Sequence, residues 1–316
     1  MGNTCDQCLK RIHREKKIWE TILKLYCEEC LKTNGQFEKT RQDNQEEAYW
    51  CCSKKDTPQK LFSEPKQRLV ARFIKSYLNT TWNKIPSQEF IKVTEQENWF
   101  NEPDIISKTR HFCIHFRDKK NKMDNLIVFL EKVLSLLEKL QLKKYESNQF
   151  QEENFNVLSK AVASEFEESK NNTKLPKSQR VSSYEETIFL QTEEPYRTIL
   201  KMRKVLPGYG IALTSDFLKE SHLWNIAKPD VHLCHVFSVI DKIQYSMDLV
   251  LVRRIAEFAE NVGLRPTPNN FYNTGSYYID KIIWMLCSRS KTENDNYQTP
   301  SVKNELLDRI ASIPLN

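Results

Sequence analysis

Two features of this chain have the residue types and spacing for chemistry at a sugar-phosphate backbone: a glycine-rich bend and, downstream of it, an aspartate at the mouth of an apolar helix. Two of only six glycines sit in Leu206-Pro207-Gly208-Tyr209-Gly210, after Lys201, Arg203 and Lys204 and before a helix expected from Ile211. Glycines so placed allow a tight turn without Cβ clashes, and they let backbone N–H groups at the start of the next helix come close to an anion. An ordinary turn between helices uses the same residues. Further on, Lys228-Pro229-Asp230-Val231-His232 opens a helix whose apolar positions are Leu233, Val236, Phe237 and Ile240. Asp230 there is either a helix N-cap or a working carboxylate. A carboxylate beneath a sugar ring stabilises the positive charge that builds as a glycosidic bond breaks, and it can orient the attacking water.

Leu206, Pro207, Gly208, Gly210 and Asp230, taken in order, resemble the pattern of the helix-hairpin-helix DNA glycosylase superfamily, over roughly residues 196–290. The resemblance implies a mainly α, glycosylase-like helical fold that binds double-stranded DNA, extrudes a base and hydrolyses its N-glycosidic bond, with Asp230 as the catalytic carboxylate. It also implies DNA contacts from Leu206, Pro207, Gly208, Tyr209, Gly210, Lys204 and Lys228; for the base pocket Tyr209 and Trp224 are the nearest candidates by sequence position, each equally readable as core and Trp224 more readily so, with His232 as a polar neighbour. Lys201, Arg203 and Lys219 are expected to add phosphate contacts, and His235 reads as packing. Members with lyase activity carry a Schiff-base lysine two residues after the second hairpin glycine, where this chain has Ala212, so an abasic site without strand cleavage is the expected product. The iron-sulfur cysteines of the superfamily are missing. The segment Ala227–Leu233 is most similar to a divergent branch associated with hypermodified phage bases, which implies a modified base as target and a role in antiviral defence. Two rival readings are pyrophosphorolysis at a modified-thymine nucleotide, and non-catalytic DNA binding in which Asp230 is only a cap.

A separate signal lies near the N-terminus. Cys5-x2-Cys8 and Cys27-x2-Cys30 have the spacing of a four-cysteine zinc site, for which Cys51, Cys52 and His13 are substitutes. Four thiolates leave no open position, so the expected role is structural, in a small zinc-binding module over residues 1–58 ahead of a helical domain over 59–316. Cys113, Cys234 and Cys287 sit in apolar settings and read as buried thiols.

Helices must position these groups. Leu126, Phe129, Leu130, Val133, Leu137 and Leu140 recur at three- and four-residue steps behind Asp124, and Phe155, Leu158, Val162 and Phe166 repeat the pattern. The polar stretch 169–183, with Pro176, reads as a loop. Further helices are expected near 195–206, 211–222, 230–243, 246–262 and 275–288. Ser246 is the expected cap of the fourth of these, and Gly263 with Pro266 its stop.

The chain of 316 residues carries a net charge of +6 and is 39% hydrophobic. That balance suits a folded protein with a polyanionic partner. The longest apolar run, about Ile282–Cys287, is far below the roughly 20 residues of a bilayer span, so no membrane is expected. With no secretory signal, the expected location is cytoplasmic in a bacterial or phage setting, or nuclear in a eukaryote. No obligate protein partner is evident.

Overall fold

The computed structural model describes residues 6–32, 107, 131–133, 135–136, 150–170, 194–206, 209–220, 223–265, 275–288, 290–291, 298–299 and 301–314. Among these the chain is mainly helical: α1 (Asp6–Lys32), α2 (Phe150–Lys170), α3 (Tyr196–Val205), α4 (Ile211–Glu220), α5 (Val231–Asp241), α6 (Leu249–Asn261), α7 (Gly275–Cys287) and α8 (Lys303–Ala311). Strands β1 (Ser290–Lys291) and β2 (Gln298–Thr299) form one short antiparallel pair. Among the described residues no helix is long and apolar enough to cross a membrane. The chain divides into two compact units, residues 62–224 and residues 1–61 with 225–316.

In the first unit the stripe read from sequence is the buried face of α2: Phe155, Leu158, Val162 and Phe166 are all sequestered. Of the stripe behind Asp124, Val133 is described and is buried in a helical turn. Helix α3 packs on α2 and α4 on α3. A carboxylate fastens the first of these contacts: Glu194 Oε2 accepts from the backbone N (3.1 Å) and Oγ1 (2.7 Å) of Thr198, and Oε1 from Arg197 (2.9 Å) and from Ser159 of α2 (3.2 Å). Burial works against charge on Glu194, but these donors outweigh it and hold its pKa below the ordinary carboxylate value.

In the second unit, α1 shares one core with the C-terminal helices. No Gly or Pro interrupts residues 6–32, and Ile18, Ile22 and Leu25, with Trp19 and Tyr26, recur at helical spacing. These five side chains are buried with Leu233, Phe237, Ile255, Phe258, Ile282, Leu286, Leu306 and Ile310. At about 1.5–3 kcal/mol per large apolar side chain, α1 is a principal contributor to that core. Where the sequence suggests a boundary after residue 58, the first helix is packed into α5–α8; residues 33–58 lie outside the described set.

An ionic latch completes the attachment. Arg254 of α6, 6% exposed, donates to Asp241 of α5 (Nε–Oδ2 2.7 Å, Nη2–Oδ1 2.8 Å) and to Glu15 of α1. Asn261 donates to Glu15 Oε2 (2.8 Å), Tyr245 Oη to Asp241 Oδ2 (2.8 Å), and Arg14 Nη1 to the carbonyl of Ile240 (2.8 Å). Burial opposes the charge on Arg254, but the carboxylates of Asp241 and Glu15 more than compensate and raise its pKa.

Helix α6 shows how local rules set boundaries. Its cap is Asp248, whose Oδ1 accepts from Leu251 N (3.1 Å), rather than the expected Ser246. Ser246 instead bonds the Asp248 carboxylate, which accepts without needing to donate and so is the better match for a first-turn amide. At the other end Gly263 adopts φ +84, and the bonds Gly263 N–Glu260 O (3.1 Å) and Leu264 N–Ala259 O (2.8 Å) close the expected glycine stop.

Candidate functional site

Asp230 stands at the N-cap of α5. Its Oδ1 accepts from His232 N (2.8 Å) and Leu233 N (2.9 Å), and its carbonyl from Cys234 N (2.9 Å). Among the described residues Oδ2 has no hydrogen-bond partner. Cap geometry and an available oxygen therefore coexist on one carboxylate.

The extended segment before Asp230 is pinned to α7 at two points. The Lys228 amide donates to Asp280 Oδ2 (2.8 Å), and Asn225 Oδ1 accepts from Tyr277 N (3.1 Å). Gly275 makes the second contact possible: its φ is +70, and a Cβ there would stand 2.6 Å from Asn225 Oδ1. Asn225, Gly275 and Asp280 were not singled out in the sequence, because their significance lies in contacts made across 52 residues of chain separation.

Around the α5 mouth lies a cluster that sequence reasoning also missed in part. His232, taken as a pocket residue, is half-buried, and its Nδ1 is shielded from solvent with no partner. Burial lowers its pKa, Asp230 opposes that, and Lys303 and His235 reinforce it. His235, read as packing, is exposed and bonded to Lys303 of α8 (Nδ1–Nζ 2.5 Å). Cys234 and Cys287 are buried as expected, and burial pushes their thiols up to about 11 and about 12, so neither is a ready nucleophile. Lys303 carried no signal at all: a lysine at the start of a helix is ordinary until folding sets it beside α5.

The hairpin belongs to the other compact unit. Pro207 and Gly208 lie outside the described residues. Leu206 is buried and closes α3 through its amide to Met202 O (2.8 Å), and Tyr209 N donates to Leu206 O (3.1 Å). Gly210 accepts from Thr214 N (3.0 Å) and so caps α4 without a side chain. A Cβ at Gly210 meets nothing within 4 Å, and its φ is not left-handed. Among the described residues, nothing requires glycine there.

Several expected roles are corrected by placement. Tyr209, 1% exposed, packs edge-on against Phe217 (6.4 Å between rings), which makes it a core residue rather than a pocket lining. Trp224 stacks at a tilt on Phe155 (4.4 Å) and serves packing of α2. Lys219 is 4% exposed and pairs with Asp216 (3.5 Å), which removes it from phosphate contact. Lys201 and Lys204 lie over the face of Phe166 at 5.8 and 5.3 Å, each stem folded along α2 with its charge partly exposed. Arg203 and Lys228 are half-exposed.

Of the cysteine quartet, Cys8 and Cys27 are the two whose side chains are described. Cys8 and Cys27 stand on one uninterrupted helix, roughly 28 Å apart along its axis, whereas thiolates sharing a zinc ion at about 2.3 Å each must lie within a few ångströms. Both are exposed, as is the substitute His13. Cys5, Cys51, Cys52 and Cys113 lie outside the described residues, as does the Cys30 side chain. Among the described residues no three His, Cys, Asp or Glu side chains converge as a metal group.

No protein-family model, no curated protein and no solved structure matches this chain.

Proposed function

We propose that this chain is a monofunctional DNA N-glycosylase acting on a modified base, with Asp230 as the carboxylate that stabilises the sugar cation and orients water. The reading rests on one observation above the rest: one Asp230 oxygen is immobilised by two amides while the other is unengaged among the described residues, in a segment pinned to α7 at Asn225 and at Lys228. Pre-fixed negative charge of that kind acts on a developing cation without reorganising during the reaction. The hairpin adds support of a different type. Gly210 meets no contact among the described residues that calls for glycine, and it opens α4, a position where a missing Cβ suits close approach by a DNA phosphate. Ala212 stands where a lyase amine is needed, so the product is an abasic site.

The competing reading, a DNA-binding protein in which Asp230 only caps α5, draws on the two cap bonds. Asp230→Asn separates the two, because Asn caps helices about as well as Asp but lacks the charge. Incubation with duplex DNA carrying different modified pyrimidines, followed by mass spectrometry of released bases, is expected to show release by the wild type. The D230N variant should fold and bind normally and lose activity by on the order of 10²-fold or more. Full turnover in D230N would exclude the mechanism, and a wild type that binds duplex but releases nothing favours the cap-only reading.

A further inference from the structure

Beside Asp230 the fold keeps a second charge of opposite sign that it does not neutralise. Lys303 Nζ donates to His235 Nδ1 at 2.5 Å, and an ammonium has three donors and no acceptor, so two N–H groups remain after that bond. The partner is an imidazole, and among the described residues the Lys303 ammonium makes no other hydrogen bond or ion pair, while the Lys303 backbone N donates to Ser301 Oγ (3.3 Å). Asp230 and Lys303 both act electrostatically on His232 and on Cys287, which places carboxylate and ammonium in one neighbourhood. Yet they are not bonded to each other, since the engaged oxygen of Asp230 is taken by its own helix. A solvated lysine keeps its rotamers free, whereas this one is moored to a neighbouring helix at an entropic cost. Its position adds to the imbalance. Lys303 begins α8, where the helix dipole disfavours a cation, and the cap residue Val302 offers no side-chain acceptor.

We infer that Lys303, steadied by His235, grips a phosphate of the ligand whose sugar faces Asp230, so that the site takes a phosphorylated nucleotide unit. This assignment rests on the Asp230 reading for the sugar and adds the group that holds the adjoining anion. The phosphate oxyanion has two possible sources, a DNA phosphodiester or free pyrophosphate, and both present the same chemistry to an ammonium point charge.

Full-length Lys303→Met and Lys303→Arg are compared with wild type by anisotropy of a labelled duplex across a sodium chloride series. Loss of one phosphate contact should reduce the slope of log K against log salt by about 1 in K303M, with K303R retaining it. In parallel, sodium pyrophosphate is added in a thermal-shift assay, and a rise in Tm for wild type that K303M lacks identifies the free anion as the source. Identical salt slopes together with identical pyrophosphate responses in wild type and K303M overturn the assignment. His235→Asn unmoors the ammonium without removing its charge, so it should weaken binding by a smaller factor at unchanged slope. If K303M fails to fold, wild-type affinity for both probes in H235N overturns the assignment instead. D230N reports separately on base release, so an inactive D230N with an unaltered K303M would leave the glycosylase reading standing while removing the phosphate grip.

Discussion

His232 shows what a single side chain reports about its surroundings. Its backbone amide serves the Asp230 cap while its ring is half-buried with Nδ1 unpartnered, and burial holds its pKa below the usual 6.5. Between the folded value and 6.5 the unfolded chain binds more protons than the folded one, so stability falls as pH drops through that window. Urea denaturation at neutral pH and at successively lower pH should show this loss in wild type and a flatter dependence in His232→Gln. Equal pH slopes in the two proteins would mean that His232 is not the titrating group.

At the scale of elements, two glycines that each open a helix do opposite jobs. Gly275 holds φ +70 at the start of α7 against Asn225, so Gly275→Ala combines an unfavourable backbone with a collision and should cost about 1–3 kcal/mol. Gly210 has neither constraint, and Gly210→Ala should leave the folded chain unharmed or stabilise it by about 0.4–1 kcal/mol. If the α4 mouth receives a phosphate, G210A retains its Tm and loses duplex affinity. Thermal melts and anisotropy on both variants check the pair, and a G275A protein as stable as wild type would show that the Asn225 contact is not a constraint. The segment carrying Asp230 is held by such element-level contacts, from Asn225 and Lys228 to α7.

For the molecule as a whole, the feature to test is the long-range latch of α1. Arg254 answers two carboxylates, Asp241 and the almost fully buried Glu15, and it does so across 239 residues of sequence in the latter case. Arg254→Met leaves Asp241 with only the Tyr245 hydroxyl and Glu15 with only Arg11 and Asn261, and breaking this buried pairing should cost about 3–5 kcal/mol. The urea midpoint of R254M should therefore fall sharply, and a shift equivalent to less than about 1 kcal/mol would reduce the latch to a surface-grade ion pair.

Much of the helical framework was legible in the residue order. The apolar stripes of α2 and α6, the glycine stop at Gly263 and the buried states of Cys234 and Cys287 follow from periodicity and composition, because burial of one helix face imposes a 3.6-residue repeat that survives any tertiary arrangement. The capping position of Asp230 was visible for the same local reason. The cysteine spacing is ambiguous on its own, since Cys-x2-Cys is also an i, i+3 pair on a helix, and the lack of Gly or Pro across residues 6–32 is the clue to that helix. Only the folded chain decided that α1 packs with α5–α8, that Lys219 and Tyr209 turn inward, and that Lys303 and His235 flank the aspartate. Those outcomes depend on which faces meet across tens to hundreds of residues, and pairing between faces leaves no period in the sequence to read.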